Sequence, residues 1–146
     1  MSTTAVKIVL DTNVLIAIIG RQSPLRWIFD SIIRGRIRLC VTTDIILEYQ
    51  EILELKNGSE VAENVINLIT TSPFTTKTEI YYNFNLIRED DDDNKFVNCA
   101  IVADALCIVS NDGHFQVLKT IEFPKVDVLT VDEFEQRYKA LVLGMD

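Results

Sequence analysis

The 146-residue chain predicts an α/β fold, a three-layer α/β/α sandwich with a mostly parallel central sheet, and three observations carry that prediction. Short apolar runs of strand length alternate with segments of helical periodicity, and parallel strands are the arrangement that requires such crossover connections. Hydrophobic residues make up 48% of the chain, enough for one compact domain with a substantial core over residues 1–146. Four acidic residues, Asp11, Glu48, Asp93 and Asp112, stand just after strand candidates or near the starts of helices, where an open α/β sheet binds its ligands.

Residues 6–10, Val-Lys-Ile-Val-Leu, form an apolar run typical of a central strand buried on both faces, and they deliver Asp11 to the sheet edge. Ser23-Pro24 marks a helix start, after which Leu25, Ile28, Phe29, Ile32 and Ile33 recur at helical spacing as far as Gly35. Residues 38–42 are a second strand. Thr43 is placed to cap the next helix, in which Glu48 sits among Ile45, Ile46, Tyr49, Ile52, Leu53 and Leu55. Asn57-Gly58 ends that helix, and Ser59 opens another through Val61, Ala62, Val65, Ile66 and Ile69. Residues 75–87, rich in Thr, Tyr and Phe with partial alternation, suggest an edge strand or hairpin followed by a loop. From Asp93 the pattern Phe96, Val97, Ala100, Ile101 and Ala103 describes a helix on the sheet, followed by a strand at 106–109. Asp112-Gly113 is a turn, 115–118 a short helical turn and 126–129 the last strand. Asp132 is placed to cap a terminal helix through Leu143.

Composition removes several function classes. The apolar stretches fall well short of the ~20 residues that span a bilayer. The start of the chain lacks a basic n-region and a small-residue cleavage site, so no signal peptide is readable and a cytoplasmic location is expected. Cys40, Cys99 and Cys107 are odd in number, lie in apolar surroundings and lack metal-ligand spacing, which makes them reduced core residues. A single histidine, His114, argues against His-based zinc sites and against a Ser/Cys-His nucleophile pair; on its own it reads as a polar loop residue. Net charge is −8, yet residues 1–40 carry Lys7, Arg21, Arg26, Arg34, Arg36 and Arg38 against Asp11 and Asp30, a local +4. The five arginines are candidates for binding a polyanion, with a solvated helix face as the plainer alternative.

The acids point to a metal centre. Carboxylates gathered at one sheet edge repel, and hard divalent ions such as Mg²⁺ or Mn²⁺ are their natural counter-charge. A carboxylate closing a central apolar strand, as Asp11 does, would be desolvated without a partner. Glu48 is flanked by Ile46, Leu47, Tyr49 and Ile52, and so needs either a cation or a buried ion pair. Within the run Glu89-Asp90-Asp91-Asp92-Asp93, helix register selects Asp93, which stands three residues before Phe96 at a helix N-terminus; Asp92 is the runner-up. Asp104 lies roughly 16 Å further along that helix, too far to share an ion. Asp112 is either a ligand or an ordinary turn cap, with Ser110 and Asn13 as hydrogen-bonding groups that orient the carboxylates.

Taken in order, these motifs resemble the PIN-domain ribonucleases over nearly the whole chain. Asp11-Thr12-Asn13-Val14-Leu15 is similar to the family's opening motif, and residues 43–49 resemble the helix that carries its second acid. Asp93-Asn94-Lys95-Phe96-Val97-Asn98-Cys99-Ala100 resembles the third motif, and Ser110-Asn111-Asp112 with Phe115 resembles the closing Thr-x-Asp-x-x-Phe. Ser110 departs from the commoner Thr but keeps the hydroxyl, and Asn111 replaces a more usual small residue. Within the family the likeness is to toxin components of toxin-antitoxin modules. The resemblance implies a PIN-like fold and Mg²⁺- or Mn²⁺-dependent hydrolysis of single-stranded RNA that leaves 5′-phosphate ends. It assigns Asp11, Glu48, Asp93 and Asp112 to hold the metal, and it implies an antitoxin protein and a second copy of the chain as partners. The rival reading is a catalytically weak PIN-like scaffold whose acidic surface docks a basic partner protein. Asp11-Thr12-Asn13 lacks the paired acids of a phosphoacceptor receiver and the Asp-x-Asp of an aspartyl-nucleophile phosphatase.

Overall fold

In the computed structural model, which describes residues 5–87 and 91–144, a five-stranded sheet among those residues has the order β3-β2-β1-β4-β5, with every pairing parallel. The strands are β1 (Val6–Leu10), β2 (Ile37–Val41), β3 (Thr76–Lys77), β4 (Cys107–Val109) and β5 (Val128–Leu129). The helices are α1 (Thr12–Ile18), α2 (Arg26–Ile33), α3 (Thr43–Asn57), α4 (Ser59–Thr71), α5 (Asn94–Ala103) and α6 (Val131–Leu143). The result is the predicted α/β/α sandwich. The chain leaves β1 toward β2 and β3 on one side and returns through β4 and β5 on the other, so the sheet has a topological switch point between β1 and β4.

Local sequence explains most of these elements. Ile8, Val9 and Leu10 are wholly buried, as a central strand between helical layers requires, and α5 packs across β1, β2 and β4. Lys7 survives in this strand because its ammonium donates to the carbonyl oxygen of Ala103 at 2.5 Å, at the C-terminal end of α5, where the helix dipole favours a cation. Gly35 links α2 to β2 at φ 80°, and a Cβ there would stand 2.7 Å from the Phe74 ring, so only glycine fits. Trp27 ties α2 to α6, stacking on Phe134 and donating its indole N–H to Glu135 at 2.8 Å.

Several boundaries differ from expectation. Thr42, not Thr43, caps α3: its hydroxyl accepts from the Ile45 N–H at 3.2 Å. Thr130, not Asp132, caps α6 in a reciprocal capping box with Glu133, because the cap must precede the first helical residue while its side chain reaches the N–H three residues on. Helix α1 occupies residues to which the sequence assigns no element, between the strand ending at Leu10 and the helix start at Ser23-Pro24. The 75–87 stretch resolves into the two-residue edge strand β3 and an irregular segment, not a hairpin. That segment is pinned by two buried amides: Asn98 Oδ1 accepts from Phe84 N–H at 3.1 Å, and Asn94 brackets Ile87 through its N–H at 2.9 Å and its carbonyl at 2.7 Å.

Cys40, Cys99 and Cys107 are free and buried. Burial pushes the Cys40 thiol up to about 11 and the other two up to about 12. Because the thiolate is the reactive form, a thiol reagent at pH 8 is expected to leave the native chain unlabelled and to modify all three cysteines after unfolding in guanidinium. Rapid labelling of the folded protein would contradict this placement.

Candidate metal centre

The carboxyl ends of β1 and β4 meet at the switch point, and Asp11 and Asp112 meet with them. Asp11 follows β1, donates its N–H to the Val109 carbonyl at 3.1 Å and is 7% exposed. Ser110 follows β4 and is wholly buried. Its hydroxyl donates to Asp11 Oδ2 at 2.8 Å and accepts from the Asp112 N–H at 3.0 Å, so one oxygen ties the two acid-bearing strand ends together. Burial raises the Asp11 carboxyl above its ordinary value. The Ser110 and Thr12 hydrogen bonds oppose that rise, and the charges of Asp112 and Glu48 reinforce it. A recess of about 250 Å³ opens here, lined by Asp11, Asn13, Val14, Leu25, Asn111 and Asp112 among others.

Asp93 arrives from another direction. It precedes α5 at the end of a 3₁₀ turn, Asp91–Asp93, and is 9% exposed, whereas Asp92 faces solvent; of the rest of the acidic run, Glu89 and Asp90 lie outside the described residues. His114 Nδ1 lies 3.3 Å from Asp93 Oδ2 and 3.4 Å from Asp112 Oδ1. Asp93, Asp112 and His114 can each offer a ligand atom within 4.8 Å of the others. Asp112 also does the work of a cap: its Oδ1 accepts from the His114 N–H at 2.9 Å and starts the 3₁₀ helix Gly113–Thr120. The cap and ligand readings of Asp112 are therefore not exclusive. The capping bond aims the imidazole back at the acids.

Glu48 is half-buried on α3 and both of its oxygens have partners. Oε2 accepts from the Thr12 hydroxyl, and Oε1 receives the Lys95 ammonium at 2.7 Å. The next residue, Tyr49, is buried and donates its hydroxyl to the Leu10 carbonyl at 2.6 Å, which locks α3 against the end of β1. Burial pushes the Tyr49 phenol well up, so it stays a donor.

Three groups at this site escaped the sequence reading. His114 reads as a loop residue until the 3₁₀ turn folds it back. Thr12 and Lys95 carry no signal of their own beyond adjacency to Asp11 and Asp93. Asn111 accepts from the Val131 N–H at 3.1 Å and so anchors the Asp112 loop to the start of α6. Asn13 is exposed on the wall of the recess. Asp104 ends α5 in the left-handed region at φ 55°, at the opposite end of the helix from Asp93.

The arginines do not converge on the acids. Arg34 and Arg36 precede β2 and Arg38 lies near its start, beside Lys7 in register, so these three sit toward the end of the sheet opposite Asp11. Arg36 reaches the Leu143 carbonyl at 3.4 Å, and Arg38 stands 6.0 Å from the centre of the Phe74 ring. Arg26 is paired with Asp30 at 3.0 Å on its own helix. It follows Leu25, which lines the acidic recess, and Arg21 is exposed on the same connection.

Asp93 and Asp112 bring carboxylate oxygens within 4.8 Å of each other and of the His114 ring, with Asp11 tied to the Asp112 loop through Ser110, and carboxylate oxygens are the donors that Mg²⁺ and Mn²⁺ select. Burial first, and the charges of Asp112 and Glu48 after it, push the Asp11 carboxyl up, and a cation would oppose both. Among the described residues no helix is long and apolar enough to cross a membrane.

Solved structures share the fold. The chain of VapBC2 from Rickettsia felis, crystallised bound to a DNA fragment from its promoter, superposes with a TM-score of 0.59 at 14% identity, over 85% of this chain and 98% of that one. A chain of DNA-bound VapBC from Salmonella typhimurium gives a TM-score of 0.54 at 15% identity, over 86% and 98%. Curated proteins show no significant sequence match. A family model described as PIN domain matches residues 7–114, from β1 through the turn that holds Asp112 and His114. On that match, which takes in all four acids, the chain belongs to the PIN-domain family.

Proposed function

We propose that this chain is a Mg²⁺- or Mn²⁺-dependent endoribonuclease that hydrolyses phosphodiester bonds of single-stranded RNA, and that it is the toxin of a toxin-antitoxin module. The supporting observation is that Asp93 and Asp112 come together with His114, while Ser110 ties Asp11 to the Asp112 loop at the switch point. PIN domains are generally nucleases, and an intact acidic set is what a nuclease of this kind uses.

When bound, a divalent ion lowers the pKa of water and offsets charge on the phosphate oxygens. Asp11, Asp93 and Asp112 would hold it, with Glu48 as the fourth acid. Ser110 orients the Asp11 carboxylate by donating to Oδ2. His114, half-exposed beside Asp93 and Asp112, would be placed to donate a hydrogen bond to a substrate phosphate. The recess beside Asp11 offers Asn13 and Asn111 as neutral polar groups for the sugar-phosphate backbone. The single-stranded preference, the antitoxin partner and a homodimer come from the resemblance, and the fold shared with chains of VapBC assemblies supports the antitoxin.

One observation favours the scaffold reading: Glu48 is already paired with the Lys95 ammonium and hydrogen-bonded by Thr12, which leaves fewer acids for an ion. The two readings separate in one assay. Purified chain is incubated with end-labelled single-stranded RNA in Mg²⁺, Mn²⁺ or EDTA. Cleavage that requires metal and leaves 5′-phosphate ends is the expected result. If no cut appears in any metal, and the melting temperature is unmoved by millimolar Mn²⁺, the nuclease assignment is wrong and the acidic surface is a docking face.

A further inference from the structure

The Lys95–Glu48 pair has a consequence for how many ions the site accepts, an inference that rests on the metal-dependent reading above. Lys95 is the second residue of α5, two positions after Asp93, so the chain places a cation beside an acid at the same helix start. Its side chain is 22% exposed and that of Glu48 is 24%, and the 2.7 Å separation is that of a charge-assisted hydrogen bond. Thr12 takes the other Glu48 oxygen. Both carboxylate oxygens are therefore engaged by groups from two other elements, α1 and α5, each of which also adjoins an acid of the site.

The pairing decides the rest. Asp11, Asp93, Asp112 and Glu48 contribute four negative charges when ionised, and Lys95 removes one. One divalent ion leaves this set a single charge negative and two leave it a single charge positive, but the second would stand beside the Lys95 ammonium. A second ion would also have to strip Glu48 of both partners and leave a half-buried ammonium unpaired, which is the costly way to break such a pair. We propose that the Lys95 ammonium holds the place a second divalent ion would take, so that this chain binds one ion and keeps Glu48 on Lys95 and Thr12. Lys95 is thus a positioning residue that sets the stoichiometry of the centre.

The test counts ions. Metal-free native chain is titrated with Mn²⁺ by calorimetry, with free Mn²⁺ followed in parallel by electron paramagnetic resonance, alongside Lys95→Met and Lys95→Arg. One Mn²⁺ per native chain, one for Lys95→Arg and two for Lys95→Met is the expected outcome. Because Lys95→Met strips Glu48 of a hydrogen bond, Lys95→Gln serves if that variant fails to fold; it keeps a donor for Oε1 without the charge, and the same second ion is expected. Two ions on the native chain, or a single ion of unchanged affinity in the folded neutral variants, overturns the proposal while leaving the metal-dependent reading intact. No Mn²⁺ on any of them overturns both.

Discussion

Asp11→Asn is expected to lower metal-dependent RNA cleavage by more than about a hundredfold, since groups that merely orient ligands are worth roughly 10–100-fold and Asp11 is assigned a direct role. The same substitution is expected to raise, not lower, the melting temperature of the metal-free chain at neutral pH. The folded-state pKa of Asp11 is raised, chiefly by burial. A carboxyl of that kind favours the folded state fully below its unfolded pKa, and that contribution is lost as pH rises through the folded pKa. At pH 7 the native chain therefore carries a buried carboxylate that opposes folding. Asparagine keeps an oxygen to accept from Ser110 and removes the charge. Melting curves of the native and Asp11→Asn chains in EDTA, taken from pH 4 to pH 8, should converge at the acid end and separate toward neutrality. In Mn²⁺ the order should reverse, because only the native chain gains an ion that binds the folded state. A variant less stable than native in EDTA at pH 7 would show that Asp11 is held by partners strong enough to overcome its burial.

Phe115→Ala is expected to cost about 3–5 kcal/mol, the range for emptying a buried aromatic site. Phe115 is wholly buried in the 3₁₀ helix that begins at Asp112, and its ring meets Phe96 of α5 edge-on, with centroids 6.3 Å apart and planes at 71°. Phe96 stands one turn past Asp93. The aromatic pair is therefore the apolar floor on which the Asp93 and Asp112–His114 segments are held together. A loss of this size is a large fraction of the 5–15 kcal/mol stability of an ordinary domain. Urea unfolding should show a lower midpoint with an unchanged slope. A midpoint shift worth less than about 1 kcal/mol would mean that the turn is secured mainly by its capping bonds.

Much of the architecture is legible locally. Residues 6–10 declare a doubly buried strand because apolar side chains stand on both faces, and five residues are too few for a helix of ordinary length. The periodicity from Phe96 to Ala103 declares α5 because period 3.6 survives without knowledge of its neighbours. Asp11 and Asp112 are found for the same reason: each closes a strand, and strand ends on a parallel sheet share one edge. The caps of α3 and α6 were misplaced by one or two residues because Thr42 and Thr43, or Thr130 and Asp132, are all competent cap residues. Which of them takes the role depends on where the strand before it lets go of the sheet.

The sequence by itself determined an α/β sandwich and the acids that would close its strands, since both follow from side-chain periodicity and from the chemistry of residues next to a strand end. Tertiary structure alone decided the neighbours of those acids. His114 faces Asp93 across 21 positions, Lys95 meets Glu48 across 47 and Thr12 meets Glu48 across 36, contacts that no local pattern encodes. Each depends on how a 3₁₀ turn or a helix start is aimed after the sheet has formed. For the same reason the arginines, a basic cluster in the sequence, divide between the two ends of the sheet once α2 runs between them.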